Sequence, residues 1–101
     1  MAIYHVDDTE EITISTSGVG FTAAKITAAQ SLIYAEVQVQ DQPVRTSVLS
    51  GEAIASGGPG VVWRADEIFQ VWGQEAINSF RAIREGGVDA TLYVTYYKDR
   101  R

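Results

Sequence analysis

The stretch Phe80–Lys98 reads FRAIREGGVDATLYVTYYK and holds the strongest secondary-structure signal in the chain. Two runs of strand-forming residues flank Gly86 and Gly87, a pair suited to a turn. Because side chains alternate along a β-strand, the second run has an apolar face and a face of threonines and tyrosines. The apolar face holds Ala90, Leu92, Val94 and Tyr96, and the other face holds Thr91, Tyr93, Thr95 and Tyr97. The pattern predicts a C-terminal β-hairpin with one side on a core.

Runs of the same kind recur through the rest of the chain. Leu32–Gln40 alternates apolar and polar residues, and Pro43 ends the run because proline removes a hydrogen-bond donor. Together with the following run, Val44–Leu49, it predicts a second hairpin. Further strands are predicted at Ile12–Thr16, Phe21–Ile26, Val61–Ala65 and Glu67–Trp72, and a helical turn or crossover at Gly73–Ser79.

The spacing of these runs, with turn signals about every eight to twelve residues, is typical of a β-sandwich or barrel. We therefore expect residues 1–101 to form a single all-β domain, either a β-sandwich or a small barrel of short antiparallel strands. Trp63, Phe69 and Trp72 are expected in the core, since each lies in an alternating apolar run. An exposed binding surface is the alternative for these three side chains.

At the N-terminus, the apolar segment Ile3–Val6 precedes the acidic run Asp7–Glu11. The acidic run is expected to be a solvated turn, since it lacks the glycine of a Ca²⁺-binding loop. Such a turn would separate residues 1–8 from the domain as an N-terminal arm. We expect this arm to add a strand to a neighbouring subunit by β-augmentation.

The composition limits the classes of function. A formal net charge of -5 argues against a general nucleic-acid binder, whose affinity depends on Lys and Arg. The chain has no cysteine and one histidine, His5, which excludes disulfides and thiolate metal sites and argues against histidine-based metal clusters and catalytic triads. No apolar run approaches the roughly 20 residues that span a bilayer, and the N-terminus lacks the features of a signal peptide. We expect a protein made in a cytoplasm, with no nucleic-acid partner and no membrane partner.

No catalytic constellation emerges from the sequence. The serines have only His5 as a base, and none lies in a Gly-x-Ser-x-Gly motif. The adjacent carboxylates Asp66 and Glu67 would point to opposite faces of a strand, which does not suit an acid–base pair. Gly18 and Gly20 lack the third glycine of a dinucleotide-binding loop. We therefore expect no enzyme activity, no catalytic residue, no cofactor and no metal.

The second half of the chain carries a further pattern. Gln42–Arg45 follows an alternating strand, a Gly/Ser/Pro-rich loop spans Ser50–Gly60, and a strand enters Val71–Gly73. The pattern ends in Ile77–Leu92 and Val94–Tyr97. This segment resembles the small all-β virion proteins of tailed bacteriophages, whose chains often close with Phe-Arg-x-Ile-Arg…Gly…Ala-x-Leu-x-Val-x-Tyr. The resemblance covers roughly residues 32–98.

The resemblance implies a structural protein of a bacteriophage virion, made in the host cytoplasm. The first expectation is a capsid decoration or cement protein that binds between capsid subunits, forms a homo-oligomer and has the major capsid protein as its partner. One alternative is a neck, tail or fibre-attachment protein. Another is a carbohydrate- or peptide-binding β-sandwich with Trp63 and Trp72 exposed on a groove. The candidate assembly contacts are Ile3, Tyr4, Val6, Pro59, Arg81, Arg84 and Tyr97.

Overall fold

A computed structural model describes residues 4–49 and 58–99, which form two antiparallel β-sheets packed against each other. The strands are β1 (Tyr4–Ile14), β2 (Leu32–Val39), β3 (Val44–Ser47), β4 (Val61–Trp63), β5 (Ile68–Trp72), β6 (Arg81–Arg84) and β7 (Ala90–Asp99). A four-stranded sheet has the order β1-β7-β2-β5, and a three-stranded sheet has the order β4-β3-β6. The described helical elements are α1 (Gln74–Ser79) and two 3₁₀ turns, Ala23–Lys25 and Ala28–Gln30. The predicted all-β sandwich is confirmed, and within these residues the strands do not close into a barrel.

The core lies between the two sheets, where eight inward side chains of β2, β3 and β7 have no exposed surface. These residues are Ala35, Val37, Val39, Val44, Ala90, Leu92, Val94 and Tyr96. An aromatic cluster extends the core: Phe21 and Phe80 stack with ring centroids 4.3 Å apart, and Tyr96 meets Phe21 edge-on at 5.5 Å. The predicted apolar face of β7 is thus confirmed as a core face, because period-two alternation directs every second side chain inward.

The predicted C-terminal hairpin is wrong. β6 pairs with β3 in the three-stranded sheet, whereas β7 lies between β1 and β2 in the four-stranded sheet. Residues 85–89 therefore cross from one sheet to the other, and an ion pair of 2.7 Å between Arg84 and Asp89 joins the two ends of this crossing. Strand propensity and turn glycines indicate two strands and a chain reversal. They do not decide whether the strands hydrogen-bond to each other or face each other across a core.

The second predicted hairpin, between Leu32 and Leu49, is wrong for the same reason, since β2 and β3 belong to different sheets. The crossing from β2 to β3 lies beside the crossing from β6 to β7. The N–H of Glu85 donates to the carbonyl oxygen of Pro43 at 3.1 Å. The N–H of Thr91 donates to a carboxylate oxygen of Asp41 at 2.9 Å. The two crossings therefore support each other.

The acidic run Asp7–Glu11 forms part of β1 and is not the predicted solvated turn. β1 pairs with β7 of the same chain along its length, with a register shift between Val6 and Asp8. The acidic turn that motivates an N-terminal arm is therefore absent from the described residues. Exchange of residues 1–8 with a neighbouring subunit stays a prediction, and residues 1–3 lie outside the described part of the chain.

The predicted strand at Phe21–Ile26 is also wrong, because Ala23–Lys25 form a 3₁₀ turn and Phe21 is buried in the core. Thr22 donates both its hydroxyl and its backbone N–H to the carboxylate of Glu10 in β1. This segment is therefore held against β1 by polar side-chain contacts and not by strand pairing.

The remaining predicted elements are confirmed with shifted bounds. The strands predicted at residues 12–16, 61–65 and 67–72 correspond to the end of β1, to β4 and to β5, and the helical turn predicted at 73–79 is α1. Of the surface loop predicted at Ser50–Gly60, residues 50–57 lie outside the described residues.

Candidate functional site

Four aromatic side chains, one from each strand of the four-stranded sheet, meet on the outer face of that sheet. They are Tyr4 from β1, Tyr97 from β7, Tyr34 from β2 and Trp72 from β5, and we call them the aromatic ladder. The strand register brings three of them together, because Tyr34 lies opposite Tyr97 on one side and opposite Trp72 on the other. Cross-strand partners in an antiparallel sheet point to the same face.

The rings of the ladder are in direct contact. Tyr34 stacks on Trp72 with centroids 4.4 Å apart and on Tyr97 with centroids 4.5 Å apart. Tyr4 meets Tyr34 edge-on at 5.5 Å and Trp72 at 6.2 Å. The stacking distances are close to the spacing of about 4.8 Å between neighbouring strands, so the sheet itself holds the rings face to face. The ladder is therefore pre-ordered before any partner binds.

Much of the ladder is open to solvent. Trp72 is 51% exposed and Tyr4 is 38% exposed. Further apolar side chains surround it on the same sheet, with Val6 56%, Ile68 56% and Tyr93 36% exposed. Exposed apolar surface of this extent is more common at interaction sites than on inert surfaces. The outer face of the four-stranded sheet is therefore the candidate functional site.

The predicted burial of Trp72 is wrong, whereas Trp63 and Phe69 do belong to the core region. Phe69 and Val71 point inward from β5, so strand alternation turns Trp72 outward. Trp63 stacks on Phe69 with centroids 4.4 Å apart, and its indole N–H donates to the hydroxyl of Thr46 at 3.0 Å. The two tryptophans thus have different roles, one in packing and one on the surface.

The surroundings of Tyr34, at the centre of the ladder, favour the neutral form of its phenol. Burial raises the pKa of the Tyr34 phenol, and the nearby Tyr97, Glu36 and Tyr4 add to the rise. The indole N–H of Trp72 donates to the side-chain oxygen of Gln70 at 3.3 Å. Aromatic rings with hydrogen-bonding groups at their edges suit contact with another macromolecule.

Three of the sequence-predicted assembly contacts, Tyr4, Val6 and Tyr97, lie on this face of the four-stranded sheet. Sequence reasoning missed Tyr34 and placed Trp72 on the surface only as an alternative to burial. Their position on the polar side of an alternating run was an available signal, but only the pairing of β2 with both β7 and β5 places them beside Tyr97.

Three of the other predicted contacts, Arg81, Arg84 and Pro59, do not join this face. Arg81 and Arg84 lie on β6 of the three-stranded sheet. Arg84 pairs with Asp89 of its own chain, and Arg81 donates to the carbonyl oxygen of Phe80 at 2.6 Å. Pro59 is exposed in the segment that enters β4. Ile3 lies outside the described residues.

A groove of about 670 Å³ opens beside the end of β7. Its lining consists of residues 28–33 together with Asp7, Gln74, Lys98 and Asp99. Lys98 and Asp7 form an ion pair of 3.2 Å across it. Among residues 4–49 and 58–99, no group of three or more His, Cys, Asp or Glu side chains could hold a metal ion. Two of the charged side chains that line this groove are thus paired with each other, which is as consistent with a role in packing as with a role in binding a ligand.

A second set of polar contacts lies where β1 meets the 3₁₀ turn at residues 23–25. The side chain of Lys25 pairs with Asp8 at 2.5 Å. The hydrogen bond from Lys25 lowers the pKa of Asp8, and the hydrogen bond to Asp8 raises the pKa of Lys25. Both groups are thereby held in their charged forms at neutral pH, so the pair fastens the turn to β1 and offers no group for acid–base chemistry.

Comparisons with protein-family models, with curated protein sequences and with solved structures find no match for this chain. No helix in the described part of the chain is long and apolar enough to cross a membrane.

Proposed function

We propose that this chain is a structural protein of a tailed-bacteriophage virion, and specifically a capsid decoration or cement protein that binds between subunits of the major capsid protein. The exposed aromatic ladder is the observation that carries the proposal, together with the resemblance of the segment that ends at Tyr97. In this role the protein would act by adhesion, with the ladder as its main contact.

The chemistry of the ladder supports a protein partner. Tyrosine and tryptophan are enriched at protein interfaces, because they bury a large area and keep a polar group for hydrogen bonding. Rings that are already stacked lose little conformational freedom on binding, which leaves more of the contact energy as affinity. Trp72 has the largest exposed fraction in the ladder and is therefore the expected hot spot.

A binding experiment with phage particles that lack the chain tests this proposal. We expect Trp72→Ala to weaken particle binding at least about tenfold, which corresponds to about 1.4 kcal/mol. Val88→Ala is the matched control, since Val88 is 59% exposed but lies in the crossing between β6 and β7, away from the ladder. Equal binding by both variants would show that the ladder is not part of the interface.

The location of the chain in purified particles decides between the virion roles. A distribution over the whole capsid surface favours a decoration protein, and a position at one vertex or along the tail favours the neck, tail or fibre-attachment alternative. Absence of the chain from purified particles would contradict both roles.

The exposure of Trp72 also favours a second candidate function, a carbohydrate- or peptide-binding module. Tryptophan emission would then change when an oligosaccharide or a peptide is added, and Trp72→Phe would abolish the change while Trp63 remains as the background emitter. An emission spectrum that stays constant across a panel of sugars and peptides would argue against this function.

A further inference from the structure

The edge strand β5 is open on one side in the described part of the chain. β5 is the last strand of the four-stranded sheet and pairs only with β2 there. Glu67 accepts a hydrogen bond from β2 at 2.9 Å, and Gly73 donates one to it at 2.8 Å. Because backbone groups alternate in direction along an antiparallel strand, those of Ile68, Gln70 and Trp72 point to the open side.

The sequence of β5 leaves this edge without the usual protection. Edge strands are commonly shielded by charged side chains, by proline or by a bulge. β5 reads IFQVW and has none of these. Its outward side chains are Ile68 and Trp72, 56% and 51% exposed, with the uncharged Gln70 between them.

The other sheet edges differ from β5. β1 carries the acidic run Asp7–Glu11 and a register shift. β6 is covered by the preceding chain, since Val19 forms a bridge with Ala82 and Ser15 accepts a hydrogen bond from Arg84. β4 has only three residues. β5 is therefore the edge best suited to accept a further strand.

We infer that β5 pairs antiparallel with β5 of a second copy of this chain, about a two-fold axis at Gln70. In this register Gln70 faces Gln70 of the other copy, and Ile68 faces Trp72 in two symmetric pairs. All three positions have their backbone groups directed outward, so the register matches the hydrogen-bonding pattern of an antiparallel ladder. A contact of this kind is isologous and closes as a dimer.

The pairing would give the exposed apolar side chains of β5 cross-strand neighbours without opposing like charges. Each Trp72, at the end of the aromatic ladder, would gain the partner's Ile68 as a cross-strand neighbour. Glu67 would lie opposite Gly73 and not opposite another acid. The four-stranded sheets of two copies would become one continuous sheet of eight strands. The dimer rests on and adds to the proposed virion role. It is tested on the isolated chain, so a negative result for the dimer is distinguishable from a negative result for the virion role.

Introducing a charge at position 70, on the two-fold axis, gives a direct test. In a dimer of the Gln70→Lys variant, or of the Gln70→Glu variant, two like charges would lie opposite each other. Each variant alone should therefore sediment as a monomer. An equimolar mixture should recover the dimer, because the opposite charges then face each other. Gln70 is exposed, so neither substitution should disturb folding, which circular dichroism verifies.

The matched control is Thr13→Lys, which adds the same charge to the exposed surface of β1 on the opposite edge of the same sheet. This variant should remain dimeric in analytical ultracentrifugation, as should the unmodified chain. A monomeric unmodified chain, a dimeric Gln70→Lys variant, or a mixture of the two charged variants that stays monomeric would each overturn the inference.

Discussion

Tyr96 donates its hydroxyl hydrogen to the carboxylate of Glu10, which links two positions 86 residues apart in the sequence. The Tyr96 side chain is fully buried, and Glu10 also accepts hydrogen bonds from Thr22. This carboxylate therefore joins β1, β7 and the segment that follows Phe21. An acidic residue that resembles solvated surface in the sequence thus satisfies a polar group at the edge of the core.

The Tyr96–Glu10 contact predicts how stability depends on pH. Burial raises the pKa of the Tyr96 hydroxyl above its ordinary value of 10.0, and the hydrogen bond to Glu10 and the charge of Glu10 add to the rise. Above about pH 10 the unfolded chain loses this proton while the folded chain keeps it, so the free energy of unfolding falls as the pH rises. The contribution is complete below about pH 10 and changes by about 1.4 kcal/mol per pH unit above it.

Tyr96→Phe isolates this contribution. At neutral pH the variant should be about 1–2 kcal/mol less stable, because the hydrogen bond is lost. Above about pH 10 the difference from the unmodified chain should shrink, since phenylalanine has no proton to lose. Urea unfolding across this pH range measures both effects. Parallel pH profiles for the two proteins would contradict the assignment.

The ion pair between Arg45 and Glu85 should contribute more to stability than the pair between Arg84 and Asp89. Arg45 makes two hydrogen bonds of 2.8 Å to the Glu85 carboxylate, and only 13% of its side chain is exposed. We expect Arg45→Ala to cost about 2 kcal/mol in the free energy of unfolding. Arg84→Ala should cost less than about 1 kcal/mol, because half of the Asp89 side chain is exposed and water screens the pair.

Denaturant unfolding of both alanine variants makes this comparison. Arg45→Lys is a useful third variant, because it keeps the charge but loses the two parallel hydrogen bonds to Glu85. Its stability should fall between those of the unmodified chain and the Arg45→Ala variant. Equal losses for Arg45→Ala and Arg84→Ala would contradict the argument from burial and geometry.

Gly60 should not tolerate a side chain. Its φ is +120°, and a Cβ atom there would lie 2.7 Å from the carbonyl oxygen of Thr46. Gly60→Ala should therefore lower the free energy of unfolding by about 1–3 kcal/mol. Gly86→Ala is the control, because nothing lies within 4 Å of the added atom, and its effect should stay within about 0.5 kcal/mol. Thermal unfolding of the two variants checks the difference.

The two tryptophans should respond differently to truncation. Trp63→Ala removes a ring that stacks on Phe69 and donates to Thr46, and should cost about 2–3 kcal/mol in the free energy of unfolding. Trp72→Ala removes an exposed ring and should cost about 1 kcal/mol in dilute solution. Iodide should quench the emission of Trp72 more strongly than that of Trp63, which single-tryptophan variants can measure. The reverse order of stability would contradict the assignment of roles.

Several features of the fold and the candidate site could be predicted from local patterns. The alternation from Ala90 to Tyr96 identifies β7 and its buried face, and the alternation from Leu32 to Gln40 does the same for β2. Tyr4 and Val6, expected as contacts of an N-terminal arm, lie with Tyr97 on the face that carries the ladder, and their role as contacts stays a prediction. The predictions for β7 and β2 depend only on period-two geometry, which acts between near neighbours in the chain.

The sequence by itself therefore determined the class of fold, the main strands and which side of each strand is apolar. The tertiary structure alone decided that β6 and β7 face each other across the core, that the acidic run continues β1, and that Tyr34 lies between Trp72 and Tyr97. The physical reason is that strand pairing joins residues distant in the chain, and it is decided by which apolar faces can be buried together. A local pattern of residues shows that a face must be covered, but not which strand covers it.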